Sequence, residues 1–185
     1  MCRLTCEFPV KGVPTRRKQL EGSISSLFIT IAIMGVCLLV VFNRSGNLLL
    51  SRFYGEDMTS SNTTAMMELK ILEHFRIYFN NSSEGFVKRC VTLVDVHLLM
   101  DCIGELYFIV GGTDDCDEIV LSDVMDCLRG VVTEQLDGKI TESNLLEPDN
   151  YGKVSVVLDE VVPNGIVESL NSDVANKMAK LKELN

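Results

Sequence analysis

Tryptophan is missing from this chain and histidine occurs only twice. His74 and His97 are too few for a histidine-rich metal centre, and neither lies at a zinc-binding spacing from a cysteine. Basic charge is scarce as well, with 17 Lys and Arg against 26 Asp and Glu and a net charge of −9. A surface of that sign does not follow a phosphate backbone, which excludes nucleic acid as a partner. The few cations are also unevenly placed: Arg3, Lys11, Arg16, Arg17 and Lys18 all precede residue 20. No C-x-x-C pair occurs among the seven cysteines, Cys2, Cys6, Cys37, Cys90, Cys102, Cys116 and Cys127. Their number is odd, and Cys37, Cys90, Cys102 and Cys127 sit inside apolar patterns. They read as small buried hydrophobes of a reducing compartment, not as a disulfide framework.

Signatures of chemistry are missing too. No phosphate-binding glycine loop, nucleophile elbow or catalytic Cys–His arrangement is present, and Gly111-Gly112-Thr113 is too short to cradle a phosphate. Asp159 and Glu160 are adjacent, so on a helix they do not face one another, and no nucleophile is tied to them by spacing. Asp114, Asp115, Asp117 and Glu118 lack the alternating ligands and closing glutamate of a calcium loop. They suit the positive end of a helix dipole instead. His74 reads as a helix-edge residue and His97 as a structural histidine within a strand. No catalytic, cofactor-binding or metal-binding residue is assigned, and the chain is not expected to be an enzyme.

What is present is enough apolar residue for a core, 46% of 185 residues, in a chain of single-domain length. Residues 1–23 have no period and carry Pro9, Pro14 and the basic cluster, and 1–34 as a whole reads as a leader or extension, partly apolar. From Ile24 to Phe42 no charge occurs, and Arg16–Lys18 precede the run. By length and flank it is a candidate membrane anchor. The chain would then be a type II glycoprotein, with sequons at Asn43, Asn62, Asn80 and Asn81 as glycan acceptors. The residues that follow favour another reading. Asn43-Arg44-Ser45-Gly46 is a turn ending in glycine, and Asn47–Tyr54 is a second strand-like run, so Gly35–Phe42 is expected to be a hairpin strand buried on both faces.

The pattern then predicts a helix over Thr64–Phe79, with Ser61-Asn62-Thr63 offering caps and Leu69, Leu72, Phe75 and Phe79 on its apolar face, next to Met67, Ile71 and Tyr78. Strands are expected at Gly85–Leu93, Val96–Cys102 and Glu105–Val110. Their two-residue links, Val94-Asp95 and Ile103-Gly104, require antiparallel neighbours. A helix over Cys116–Leu136 carries the stripe Val120, Val124, Cys127, Leu128 and Val131, with Gly138 placed to cap it. Lys153–Val162 is ambiguous: its valines favour a strand, while Val154, Val157, Leu158 and Val161 lie at helical spacing. Pro163-Asn164-Gly165 ends it. A last helix, Ser172–Leu184, has the stripe Val174, Met178 and Leu181.

Several of these runs resemble the coatomer (COPI) zeta branch of the adaptor small-subunit, longin-like family. The hairpin VVFNRSGNLLLSRFY (40–54) resembles the family's opening hairpin. LYFIVGG (106–112) is similar to its fifth strand, and DEIVLSDVMDCLRGVV (117–132) to its acidic-then-aliphatic helix. NLLEPDNYGKVSVVLDEVVPNGIVES (144–169) resembles its most diagnostic region, departing at Pro148 and at Pro163-Asn164-Gly165. Leu145-Leu146-Glu147 and Cys127-Leu128 favour zeta over the adaptor sigma chains.

The resemblance implies an α+β fold. It would be a longin-like (SNARE-like) domain with a five-stranded antiparallel sheet and flanking helices, in the order β-β-α-β-β-β-α-α-α. That domain would span 35–171 with a C-terminal helix at 172–185, and Lys153–Val162 would be helical. The implied function is structural. It comprises pairing with the gamma-coatomer solenoid within the heptameric coatomer, recruitment to the cytosolic face of the Golgi membrane through an Arf-family GTPase, and support of Golgi-to-ER and intra-Golgi vesicle transport. No cofactor, small-molecule substrate or nucleic acid is implied, and the residues of the partner interface are left unassigned. Alternatives are an adaptor sigma subunit, the anchored glycoprotein, or a regulatory longin domain, which a C-terminal SNARE heptad would mark.

Overall fold

The computed structural model describes residues 35–79, 88–113, 116–167 and 170–183, except the side chains of Phe79 and Glu183. The leader 1–34, Asn80, Asn81, residues 85–87, Asp114, Asp115 and Leu184 lie outside the described residues. Strands β1 (Val36–Phe42), β2 (Leu48–Phe53), β3 (Arg89–Leu93), β4 (Val96–Ile103) and β5 (Leu106–Gly112) form one sheet in the order β2-β1-β5-β4-β3. Every neighbouring pair is antiparallel. Helix α1 (Ser61–Phe79) follows β2. Helices α2 (Glu118–Gln135), α3 (Glu142–Leu145), α4 (Pro148–Val161) and α5 (Ser172–Glu183) follow β5.

Strand β1 explains the uncharged run at its position. It is paired on both edges, with β2 and β5, and all seven of its residues are buried. Leu39 and Val41 face the cluster built with α2–α5, whereas Leu38, Val40 and Phe42 face the cluster built with α1. A strand covered on both faces has no polar side to alternate with. Ile24–Phe42 is therefore not one helical span, because its last seven residues are this central strand. Among the described residues no helix is long and apolar enough to cross a membrane. Asn43 does not suit a glycan either. It is buried, its side-chain oxygen accepts from the Asn47 N–H at 2.8 Å, and its amide donates to Glu142 at 2.9 Å.

Glycines 111 and 112 are the last two residues of β5, beyond the expected end at Val110. A Cβ on Gly111 would lie 2.7 Å from the Leu38 side chain and 2.8 Å from Leu98, and one on Gly112 would lie 2.5 Å from Cys116. Close packing, not a loop, accounts for the pair.

Local chemistry sets the helix ends. Helix α1 begins three residues before Thr64, and Ser60 caps it: its hydroxyl accepts from the Thr63 N–H at 3.3 Å. Asp117 caps α2, accepting from the N–H groups of Ile119 and Val120, each at 3.0 Å. At the other end Gly138, at φ 72°, donates to the Thr133 carbonyl at 2.8 Å. The valine-rich segment is helical: α4 buries Val154, Val157, Leu158 and Val161, the four residues at helical spacing, and begins at Pro148. The short α3 has no counterpart among the expected elements.

Two expected apolar faces are rotated. In α1 the buried line is Met67, Ile71 and Phe75, while Leu69 is 64% exposed. In α5 the buried residues are Ala175, Asn176 and Ala179; Val174, Met178 and Leu181 face outward at 44%, 46% and 57% exposure. Small residues let α5 approach α2 and α4 closely. Gly130 of α2 contributes, since a Cβ there would lie 3.0 Å from the Ser172 Cβ.

Candidate functional site

The polar residues weighed for chemistry are spread through the fold and engaged structurally. Asp159 lies 3.6 Å from the Arg52 guanidinium, and the same guanidinium donates to Ser155, which ties β2 to α4. Glu160 pairs with Lys182, so it faces α5 while Asp159 faces β2. Asp117 is spent on its cap, and Glu118 adds charge in the first turn of α2. Asp114 and Asp115 lie outside the described residues. His97 shares a hydrogen bond of 2.9 Å with Thr92, its cross-strand partner. His74 is exposed on α1 and meets the Phe75 ring edge-on, with centroids 5.2 Å apart.

Among the described cysteines, Cys37, Cys116 and Cys127 are buried and Cys90 and Cys102 half-buried, all as free thiols. Burial pushes Cys37 up to about 12 and Cys116 up to about 11. Cys90 is raised to about 11 by burial and by the nearby Glu118. Thiols held this way are neutral near neutral pH, the opposite of an activated nucleophile. No group of His, Cys, Asp and Glu among the described residues is arranged to hold a metal. Tyr54 is also raised, pushed up to about 12 by burial and by Asp159, against a lowering from Arg52. Its hydroxyl is buried without a partner among the described residues.

A concave surface lies elsewhere, between the β1–β2 turn and α1. A groove of about 710 Å³ is lined by Ser45, Gly46, Asn47, Leu69, Leu72, Glu73 and Arg76. A neighbouring cavity of about 540 Å³ shares Gly46, Asn47, Leu69 and Leu72 and adds Leu48. Leu48 and Leu69 are exposed, although Leu48 lies in an apolar run and Leu69 was expected on the apolar face of α1. Together with the outward stripe of α5, this makes two apolar surfaces on opposite layers of the fold. Surfaces of that kind serve contact with another macromolecule. Sequence reasoning assigned Leu69 to the core and left the groove unassigned. The signal for it is angular: on a helix Leu69 projects about 160° from the Met67–Ile71 line.

The profile of the family described as clathrin adaptor complex small chain matches residues 35–185. No curated protein sequence matches the chain. Among solved structures, a chain of a homology model of the full-length AP-3 complex in a stretched open conformation superposes with a TM-score of 0.58 at 16% identity. It covers 80% of this chain and 94% of that one. That likeness shows the fold. A Roadblock/LC7 domain from Streptomyces avermitilis gives a TM-score of 0.38 at 17% identity, covering 56% of this chain and 87% of its own. MglB in a tetrameric arrangement gives 0.40 at 12% identity, covering 63% and 85%.

Proposed function

This chain belongs to the family of clathrin adaptor complex small chains, and on that premise we propose that it is a structural subunit of a vesicle coat, of the coatomer zeta type. It would pair with the large gamma-coatomer solenoid, and it would reach the cytosolic face of the Golgi membrane only as part of that assembly. The observation that carries the reading is the pair of exposed apolar surfaces, at the β1–β2 turn with α1 and along α5, on a domain whose candidate catalytic groups are tied into caps and ion pairs. A domain built in this way contributes area to a large interface and no bond-making chemistry.

The residues that favour the zeta branch are Leu145-Leu146-Glu147, at the α3–α4 junction, and Cys127-Leu128, buried in α2. An adaptor sigma subunit is the second reading, favoured by the description of the matching family. The two differ in the large chain they pair with. Affinity recovery of the tagged chain from detergent-free cytosol, followed by mass spectrometry, distinguishes them. Gamma-coatomer in near-equal amount supports the zeta assignment, and an adaptor large chain moves the protein to the sigma branch. Recovery only from carbonate-washed membranes, with no large chain, overturns both.

A further inference from the structure

Helix α5 is fastened to the domain with its larger apolar side chains pointing away. Burying Val, Met and Leu would remove far more apolar surface from water than burying two alanines. The structure nevertheless places Ala175 and Ala179 inside, and Val174, Met178 and Leu181 outside. The rotation is fixed by polar contacts. The buried Asn176 amide accepts from Gln135 at 2.9 Å and donates to Glu134, and both partners lie on α2. Lys180 adds an ion pair to Glu134 at 3.0 Å, and Lys182 pairs with Glu160 of α4. Turning the stripe inward would break all four contacts and leave buried polar atoms unpaired, which is costly.

The three side chains follow a four-then-three spacing, the spacing at which one helix seats against another. Lys177 flanks the row on one side and Lys182 on the other. Lys177 has no partner among the described residues, and Lys182 stays 63% exposed beside Glu160. On the Lys182 side the charge is balanced by Glu160, so the net cation beside the row is Lys177, in a chain of net charge −9. A second copy would bring lysine against lysine and one acidic domain against another. A helix with an apolar seam and acidic flanks meets both features.

We propose that the outward face of α5, Val174, Met178 and Leu181 flanked by Lys177, docks an amphipathic helix with acidic flanks from the large coat subunit. This rests on the small-subunit reading above. The face is presented already ordered, so docking does not have to fix it first.

The test compares full-length tagged chain with two variants. One is the triple change Val174→Gln, Met178→Gln and Leu181→Gln; the other is Lys177→Glu. All four positions are solvent-exposed, so circular dichroism and unfolding midpoints should match the parent. The expected result is near-stoichiometric recovery of a large coat subunit by the parent. The triple variant should lose about tenfold in recovery, and Lys177→Glu several-fold, with the salt sensitivity of binding reduced. Equal recovery by parent and variants overturns the docking face and leaves the small-subunit reading standing. No large subunit with the parent overturns both. A parent that sediments as a dimer, dissociated by the triple change, shows that the face pairs with a second copy and overturns the acidic partner.

Discussion

The carboxylate of Asp101, on β4, accepts a hydrogen bond from the guanidinium of Arg129, on α2. Asp101 is almost fully buried at 3% side-chain exposure, whereas Arg129 reaches solvent at 43%. The other carboxylate oxygen accepts from the Cys102 N–H at 2.8 Å. One face of the sheet thus carries a charge inside an apolar cluster, and a single helix residue neutralises it.

Arg129→Met should destabilise the domain by about 1–3 kcal/mol, since a buried carboxylate is left with half of its partners. The solvent reach of Arg129 keeps the loss below that of a fully enclosed pair. Asp101→Asn, which removes the charge with the partner still present, should cost less. Urea unfolding midpoints of the two variants give the order, and an Arg129→Met midpoint equal to the parent's would contradict it.

The β3–β4 link offers a gain. Val94 and Asp95 both have positive φ, 52° and 62°, as a tight hairpin of this hand requires. A β-branched residue is strained there, and Val94 is 54% exposed, so it gives little packing in return. Val94→Asn should raise stability by about 1 kcal/mol. The readout is a higher thermal midpoint with unchanged circular dichroism.

Two glycines of similar backbone conformation should respond differently to alanine. Gly138, at φ 72°, has open space where a Cβ would go, so Gly138→Ala carries only the conformational cost of about 1 kcal/mol. Gly165, at φ 85°, would set a Cβ 2.6 Å from the Val36 carbonyl oxygen and 2.7 Å from the Tyr54 Cβ. Backbone does not give way as a side-chain tip does, so Gly165→Ala should cost about 3 kcal/mol or more. Comparable midpoints for the two variants would refute the close approach of the turn after α4 to β1.

Alkali should weaken the fold before it harms the covalent chain. Cys37 rises from 9.0 to about 12 and Tyr54 from 10.0 to about 12, both chiefly through burial, while Cys90 and Cys116 rise to about 11. In the unfolded chain these groups lose protons at their ordinary values; in the folded chain they hold them. Between the two, the unfolded state binds fewer protons, so stability falls as pH rises. It is fully present below the unfolded values and lost progressively toward the folded ones. Urea midpoints should fall between neutral pH and about pH 10.5, and Cys37→Ala should flatten part of that slope.

Much of the architecture was legible because it rests on local rules. The Asn43–Gly46 turn between two apolar runs marked the β1–β2 hairpin, and the two-residue links marked β3–β4–β5. Asp117 announced the start of α2, and Pro148 had no weight in the reading of α4 although it sits at its first turn. The groove was hidden because Leu69 shares helical spacing with Leu72, and its exposure depends on where the sheet lies. Asn43 was hidden as well: nothing in a sequon tells that its amide is spent on Glu142, 99 residues away.

The sequence by itself determined which residues share a face. Strand alternation divides β1 between two layers, and helical spacing groups Met67 with Ile71 and Phe75, Ala175 with Ala179, and Val174 with Met178 and Leu181. Which group turns inward was decided only by the tertiary structure. A period of 3.6 residues describes a helix equally well from either side. The choice in α5 follows from its neighbours: Gly130 permits close approach to α2, Asn176 finds Glu134 and Gln135, and the larger apolar side chains are left outside.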